Sequence, residues 1–410
     1  MSVALGASVL CLASACSGPA KVATGPSPSA TVPAARITIR PRSGTHTFSP
    51  ARAITVRVAH GRLVRVVVKG PGQPIVGRLS PSATAWRSRT TLEVDARYRI
   101  EATAVDAAGK QTTARSSFRT LTPNQTFSAE IFEAAGATYG VGMPIILDFD
   151  RPVTDRRAVE RSLELWTSKR VVGAWYWDDP STLYFRPRDY WPAGTRVRFV
   201  AHLDGVEASP GIYGEHDLSQ SFVIGGSLIV VADTQTHRAL IYRDKRLYAD
   251  WPMSSGRPGD DTPNGTYLTI DKGNPVEMKG PGYDLMVPWS VRFTWSGDFL
   301  HDAYWSVGEQ GFTNVSHGCV NLSPADAQTY YEMEVPGDPV TIKGSPRAGT
   351  WDNGWTVWFL SFKQLWQGSA LHEAVVAGPA GSTFVRPARL HHSFARAPLG
   401  RPAAGNAAAA

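Results

Sequence analysis

The sequence has little cysteine. Its 410 residues include only Cys11, Cys16 and Cys319. The first two lie in an apolar N-terminal segment that reads as a leader. Once that segment is cleaved or modified, Cys319 has no partner for a disulfide. A single cysteine in an exported chain is therefore a candidate reactive thiol.

Long apolar runs and basic blocks are also missing. After the first twenty residues no run reaches the length of about eighteen apolar residues that a membrane-spanning helix needs. The formal net charge is +7, but residues 376–410 contribute four arginines and no acid, so the remainder carries only a small excess. Because no Lys/Arg block with interleaved aromatic residues occurs elsewhere, nucleic acid is not an expected partner.

The N-terminal residues predict export. Residues 2–15 are small and apolar, as in a secretory signal peptide. The sequence Ala13-Ser14-Ala15-Cys16 resembles a bacterial lipobox, so we expect residues 1–16 to be a signal with Cys16 as the lipidated residue. The alternative is ordinary cleavage after a small residue, with Cys16 incidental. Residues 17–35 are rich in Pro, Ala, Ser, Thr and Gly and predict a flexible tether.

Two β-sandwiches are predicted before the cysteine motif. Residues 36–120 contain short alternating apolar runs separated by glycine-containing turns, which indicates an Ig-like sandwich. Residues 121–225 repeat the pattern with more aromatic residues and one or two helical turns within 155–165, for which Thr154 is a candidate cap. Neither region clusters catalytic side chains, so we expect both to be scaffolds.

A third, mostly β region follows over residues 226–345. Its one predicted helix begins after the cysteine motif, where Ser323 would cap a helix with Pro324 at its first position. Residues 346–370 hold six Trp and Phe residues and predict a cap that folds back on this third domain. Residues 371–410, which end in four alanines, predict a disordered tail. The expected fold class is therefore mainly β.

The chemistry is concentrated in Ser316-His317-Gly318-Cys319-Val320-Asn321, with His301 sixteen residues before His317. A cysteine is a nucleophile as its thiolate, and a nearby histidine can take its proton. Gly318 would let the backbone approach a ligand, and the N–H groups of Gly318 and Cys319 are a candidate oxyanion hole. The helix start at Ser323 would favour the thiolate by its dipole.

Two other interpretations of these residues stay open. A lone cysteine is often simply buried, and Cys319 would then be structural. Two histidines and one cysteine also match a three-ligand catalytic zinc site, although a structural zinc site would need a fourth ligand.

The pattern resembles the signature of the L,D-transpeptidases, the YkuD-type catalytic domain: a histidine, a spacer, then Ser/Thr-His-Gly-Cys, any residue and Asn. Here fourteen residues, 302–315, separate His301 from Ser316. The resemblance extends over about residues 36–370, because the mycobacterial-type members also have two Ig-like domains and a Trp-rich C-terminal segment.

The resemblance implies a role for each matching position. Cys319 would be the nucleophile and His301 the general base, with His317, Gly318 and Ser316 shaping the site. The carbonyl of Asp302 would orient His301, and its carboxylate would raise the pKa of His301. The positions expected to contact substrate are Tyr283, Ser296, Gly297, Trp305, Ser316 and Asn321. Tyr283 follows a Gly-Pro-Gly sequence, so anchoring a lid is an alternative role for it.

The implied reaction joins two peptidoglycan stem peptides. Cys319 would attack a tetrapeptide donor, expel D-Ala and pass the acyl group to a diamino acid on a second stem, giving a 3→3 cross-link with no metal or cofactor. Carbapenems would react at the same cysteine. The protein would act from the outer face of the cytoplasmic membrane, as a lipoprotein reaching into the wall. The alternatives are an L,D-carboxypeptidase, a ligase attaching a protein to peptidoglycan, and a non-catalytic wall-binding protein.

Overall fold

The computed structural model describes residues 32–72, 74–280 and 283–386. Within them strands dominate, so the prediction of a mainly β fold is confirmed. The expected signal, Cys16, almost all of the tether and the end of the tail lie outside the described residues. None of the described helices is both long and apolar enough to cross a membrane.

The first sandwich consists of two sheets, with strand orders β1-β2-β5-β4 and β3-β6-β7. Alternate residues of its strands are buried, as in β6, and the inward side chains meet in one core that contains Tyr98 and Phe118. The strands are β1 (Arg36–Arg40), β2 (Thr55–Ala59), β3 (Arg62–Lys69), β4 (Gly77–Leu79), β5 (Ala85–Ser88), β6 (Arg97–Val105) and β7 (Gln111–Arg119).

The second sandwich has a core rich in large aromatic side chains, in which Trp175 contacts both Phe185 and Phe199. Its helix α1 (Arg156–Arg161) is capped by Asp155, which accepts from the Ala158 N–H at 3.0 Å. The predicted cap, Thr154, was wrong, because its hydroxyl bonds Ser209 instead. The strands are β8 (Gln125–Phe127), β9 (Ala129–Ile131), β10 (Thr138–Tyr139), β11 (Ile145–Phe149), β12 (Leu163–Thr167), β13 (Val171–Trp177), β14 (Thr182–Pro187), β15 (Arg196–Ala201), β16 (Glu207–Ser209), β17 (Ile212–Gly214) and β18 (Leu218–Ile224).

The third domain is built on a five-stranded sheet, β21-β20-β19-β29-β22, and a four-stranded sheet, β23-β26-β27-β28. Helix α2 (Pro324–Met333) follows the cysteine motif as predicted, and the Ser323 hydroxyl caps it by accepting from the Asp326 N–H. The strands are β19 (Leu228–Asp233), β20 (Arg238–Arg243), β21 (Arg246–Pro252), β22 (Gly265–Leu268), β23 (Lys272–Gly273), β24 (Val276–Gly280), β25 (Tyr283–Val287), β26 (Ser290–Arg292), β27 (Phe299–Asp302), β28 (Val320–Leu322) and β29 (Pro339–Lys343).

The Trp-rich segment packs on two domains. It contacts the third domain, which it was predicted to cover, and it also packs on the second sandwich, which was not predicted. The indole N–H of Trp351 donates to Asp178, and that of Trp358 donates to the Gly142 carbonyl. The Arg186 guanidinium lies 4.1 Å from the Trp358 ring centroid. Aromatic density predicts that the segment is buried. It does not predict the contact with the second sandwich, because that contact depends on polar partners scattered through the second sandwich.

The chain then continues as an ordered hairpin, so disorder from residue 371 was also a wrong prediction. After α3 (Phe362–Gln367) come β30 (Ala374–Gly378) and β31 (Gly381–Val385). Strand β30 lies between β12 and β13 of the second sandwich and buries Val375 in its core. A short run that contains valines forms a strand here because it pairs with a strand of the sheet on each side.

Candidate active site

Two adjacent parallel strands bring the predicted base and nucleophile together. Strand β27 pairs with β28, and His301 is in register with Asn321. Cys319 lies two residues before Asn321. Because Leu300 pairs with Val320, Cys319 directly precedes β28 at the level of Phe299, two residues before His301 on the neighbouring strand. Cys319 is a free thiol and is half-buried.

His301 is buried, with 3% of its surface exposed. Its Nδ1 lies 2.7 Å from the Asp302 carbonyl oxygen. A carbonyl only accepts, so Nδ1 carries the proton and Nε2 is left as the basic nitrogen. Burial lowers the pKa of His301 to about 4, against a smaller opposing effect of that carbonyl. The expected rise caused by the Asp302 carboxylate is therefore wrong, because removal from water outweighs it.

The Cys319 sulfur lies in an environment that disfavours its charged form. Burial raises the pKa of the thiol to about 12, and the negative charge of Asp298 acts in the same direction. The expected stabilisation of a thiolate by the α2 dipole is wrong. The three residues of β28 separate Cys319 from the Ser323 cap by about 13 Å of extended chain, and a helix dipole acts mainly within its first turn.

The turn at Gly318 is held by hydroxyl groups. The Gly318 φ of +130° is a conformation that side-chain-bearing residues rarely adopt. The Thr262 hydroxyl donates to the Gly318 carbonyl at 2.6 Å, and the Ser316 hydroxyl donates to the Cys319 carbonyl at 2.6 Å. The Gly318 N–H donates to the Ser316 oxygen. Because the Gly318 N–H already has this acceptor, the Cys319 N–H is the remaining candidate among the two N–H groups predicted to form the oxyanion hole.

Aromatic rings line the two sides of the site. Tyr283 begins strand β25, and its ring centroid lies 4.8 Å from that of the exposed His317. Trp305 lies in a short 3₁₀ turn, Tyr304–Ser306, and stacks on His301 with centroids 5.8 Å apart. The hairpin β24–β25 and this turn therefore flank the thiol. Because His317 packs on Tyr283 rather than beside His301, the zinc interpretation lacks a ligand set. Among the described residues no metal-binding group of His, Cys, Asp and Glu is found.

The loop before β27 carries Ser296 and Gly297, as predicted, beside the sulfur. The Cys319 sulfur lies 3.9 Å from the Gly297 carbonyl oxygen, a long contact in which the thiol is the donor. Ser296 is exposed and is held by Asn353 of the Trp-rich segment. The Ser296 N–H donates to Asn353 Oδ1 at 2.8 Å, and Asn353 Nδ2 donates to the Ser296 hydroxyl at 2.9 Å.

Asn321 does not face open space. It is 2% exposed, and its Nδ2 donates to the Ser306 hydroxyl at 3.0 Å. Its backbone pairs with Ser254. This placement does not support the expected contact with substrate. It makes Asn321 the support of the turn that presents Trp305.

Sequence reasoning missed Asp298, Thr262 and Asn353. Asp298 is buried beside Gly318, and Thr262 and Asn353 come from loops 56 and 57 residues away from the groups they bond. None of the three carried a signal in the sequence, because single Asp, Thr and Asn residues occur in many turns.

Comparisons with known proteins agree with the geometry. The profile of the bacterial Ig domain (Big_10) matches residues 45–207, and that of the L,D-transpeptidase catalytic domain (YkuD) matches residues 227–342. L,D-transpeptidase 5 of Mycobacterium tuberculosis is 35% identical over 76% of this chain and 72% of its own length. The chain belongs to the L,D-transpeptidase family. L,D-transpeptidase 2 of the same species is 33% identical over 74% of this chain and 79% of its own length.

Solved L,D-transpeptidases also match part of the chain. LD transpeptidase LdtMt1 in complex with imipenem is 36% identical, covers 52% of this chain and 97% of its own, and superposes with a TM-score of 0.45. An L,D-transpeptidase from Mycobacterium smegmatis is 35% identical over 53% of this chain and 99% of its own, with a TM-score of 0.43. The resemblance drawn from the cysteine motif is thus confirmed by the family matches, and the protein is a transpeptidase with Ig-like and YkuD domains.

Proposed function

We propose that this L,D-transpeptidase forms 3→3 peptidoglycan cross-links through a thioester on Cys319. The observation that carries the proposal is a free thiol directly before β28, beside the paired strand β27 that carries a buried imidazole. The Asp302 carbonyl fixes the tautomer of that imidazole, so its Nε2 is the nitrogen that can accept a proton.

In the acylation step the thiol proton passes to Nε2 of His301 as sulfur attacks the carbonyl carbon of the donor's third residue. The C–S bond forms, and the carbonyl oxygen takes negative charge next to the Cys319 N–H. The C–N bond to D-Ala then breaks, and the proton on His301 moves to the departing amine. The imidazole returns to its neutral form, which its burial favours.

In the transfer step the amine of a diamino acid on a second stem attacks the thioester. Its proton goes to His301, the C–N bond forms, and the C–S bond breaks. Sulfur then recovers the proton from His301. The two half-reactions are the ping-pong sequence expected of a covalent nucleophile.

The same thiol would open the ring of a carbapenem. LdtMt1, a relative with 36% identity, has been determined in complex with imipenem, which supports this part of the proposal. We also propose that the protein is a lipoprotein attached through Cys16 to the outer face of the membrane, with the two sandwiches extending the active site into the wall. Two acyl chains on one residue suffice for stable anchoring.

The test mixes the full chain with disaccharide tetrapeptides and follows the products by mass spectrometry. We expect a dimer that is one D-Ala lighter than two monomers. Cys319→Ala and His301→Gln should abolish it. His202→Gln is the matched control, because His202 lies in the second sandwich between Glu164 and Asp217, far from the thiol along the chain. It should leave the dimer yield unchanged.

Other products would identify the alternatives. Release of D-Ala without dimer, when acceptor stems are present in excess, would show an L,D-carboxypeptidase. No mass change with folded protein, and no imipenem adduct on Cys319, would contradict the enzymatic proposal and favour a wall-binding protein.

A further inference from the structure

Asp298 is a buried acid that the proposed chemistry does not use. Only 8% of its surface is exposed. Its Oδ2 accepts from the Thr294 hydroxyl at 2.9 Å and, more weakly, from the Ser296 hydroxyl at 3.4 Å. Its N–H donates to the Thr294 oxygen at 2.7 Å. The carboxylate is thus held in one orientation at the start of β27.

The free oxygen of this carboxylate lies against the backbone of Gly318. A Cβ placed on Gly318 would be 2.3 Å from Asp298 Oδ1, well inside any real contact. The acid therefore occupies the space that the missing side chain leaves, one residue before the nucleophile. A larger residue at 318 would displace it.

Most groups around the sulfur offer acceptors or negative charge, and the exception is the Phe299 N–H, which lowers the pKa of the Cys319 thiol by a smaller effect. The Gly297 carbonyl faces Sγ from the loop before β27, and Asp298 follows in the same loop. His301 on β27 is neutral near pH 7 because burial lowers its pKa. Tyr283 on β25 faces the site as a neutral phenol, since burial, and then the charge of Cys319, raise the pKa of Tyr283. The His317 ring packs on it.

Two further charges act at a greater distance. Asp260, from the loop before β22, is ion-paired with Arg257 and acts on Tyr283 rather than on Cys319. Arg347 attracts the Asp298 carboxylate and partly opposes the burial that raises the pKa of Asp298. Arg347 thus favours the charged form of Asp298.

We propose that Asp298 is a positioning residue of this active site, whose fixed carboxylate behind Gly318 adds to burial in keeping Cys319 a neutral thiol until His301 removes its proton. The inference rests on the proposed function only in taking Cys319 as the nucleophile. Asp298 neither gains nor loses a proton in the reaction. Its effect is that general electrophiles meet an unreactive S–H, whereas a donor aligned between Cys319 and His301 meets a sulfur that loses its proton as it attacks.

The experiment measures alkylation of Cys319 by iodoacetamide in the full chain between pH 6 and pH 10, with peptide mass spectrometry separating Cys319 from Cys11 and Cys16. Asp298→Asn keeps the shape of the side chain and removes its charge. We expect alkylation of Cys319 to become about tenfold faster at pH 7.5, as for a fall of about one unit in the thiol pKa. Asp260→Asn is the matched control, since it neutralises an acid at the rim of the same site, and it should leave the rate unchanged.

An alkylation rate in Asp298→Asn equal to or below that of the wild type would overturn the inference. So would an equal acceleration in Asp260→Asn. If Asp298→Asn does not fold, Asp298→Ser gives a second test, because it also removes the charge and keeps a short polar side chain. Alkylation should again be faster than in the wild type, and an unchanged or slower rate would contradict the proposal. Because alkylation needs no peptidoglycan, failure of D-Ala release would refute the proposed function without affecting this result.

Discussion

Replacing Gly318 by alanine tests why the residue before the nucleophile has no side chain. Two separate penalties are expected. The φ of +130° is strained for alanine by about 1–3 kcal/mol. The new Cβ would also lie 2.3 Å from Asp298 Oδ1, and an overpacked contact of this kind costs about 1–3 kcal/mol more.

The consequences are measurable in stability and in reactivity. A loss of several kcal/mol in a domain of this size should lower its unfolding temperature by more than about 5 °C. Because the Gly318 carbonyl is bonded to Thr262, relief of the overlap would shift the neighbouring Cys319, and acylation by a donor stem should slow about 100-fold. Calorimetry and single-turnover D-Ala release would give the two numbers.

A control and a double variant separate the two penalties. Gly308→Ala lies in the loop after Trp305, where an added Cβ meets nothing within 4 Å, and it should change stability by less than about 0.5 kcal/mol. Asp298→Ala combined with Gly318→Ala removes the overlap but keeps the backbone strain, so the melting temperature should recover in part. Wild-type melting and acylation in Gly318→Ala would refute the reasoning. No recovery in the double variant would assign the whole effect to strain.

Four further predictions follow, two on the base and one each on the Ser296 loop and the last hairpin. Because burial lowers the pKa of His301 to about 4, kcat/KM for a donor stem should stay level from pH 7 to pH 5 and fall only near pH 4; a fall centred near pH 6.5 would contradict this. Because of the same lowered pKa, the unfolded chain binds a proton on this histidine below pH 6.5, whereas the folded chain does not. About 3 kcal/mol of stability should therefore be lost as the pH falls from 6.5 to 4. In denaturant titrations, His301→Gln should not show this loss. Asn353→Ala removes both hydrogen bonds to Ser296, at a cost of about 1 kcal/mol. The KM for the donor should then rise about fivefold, while iodoacetamide alkylation of Cys319 stays unchanged. Equal slowing of both reactions would instead show that the variant disorders the site in general. Val375→Asp places a charge in the core of the second sandwich and should destabilise it by more than about 3 kcal/mol, whereas Thr383→Asp, at an exposed position of the same hairpin, should be near neutral by thermal melting.

The local parts of this structure were predictable from the sequence. The alternating runs predicted the sandwiches, and Ser323-Pro324 predicted the start of α2, because caps and periodicity act within a few residues. The histidine and cysteine were found because their types and spacing are specific to one chemistry. The fold then brings their two segments together, because the strand that follows Cys319 pairs with the strand that carries His301.

The parts that failed depend on contacts distant in the chain. The sequence predicted a thiolate from a helix start, but the protonation of Cys319 is set by burial and by Asp298, which lies 21 residues earlier. The contact of the Trp-rich segment with the second sandwich depends on Asp178 and Arg186, which no local sequence pattern marks. A five-residue strand at 374–378 was hidden by the alanine- and glycine-rich composition that surrounds it.

The place of β30 between β12 and β13 gives the order of synthesis a structural meaning. The polypeptide leaves the second sandwich at residue 224, builds the whole catalytic unit, and returns with residues 374–378 to fill the sheet it left. A ribosome therefore completes the enzyme before it completes the platform that holds it. A premature stop shortly after β29 would leave every predicted catalytic group intact, yet mounted on a sheet with a gap where its last strand belongs.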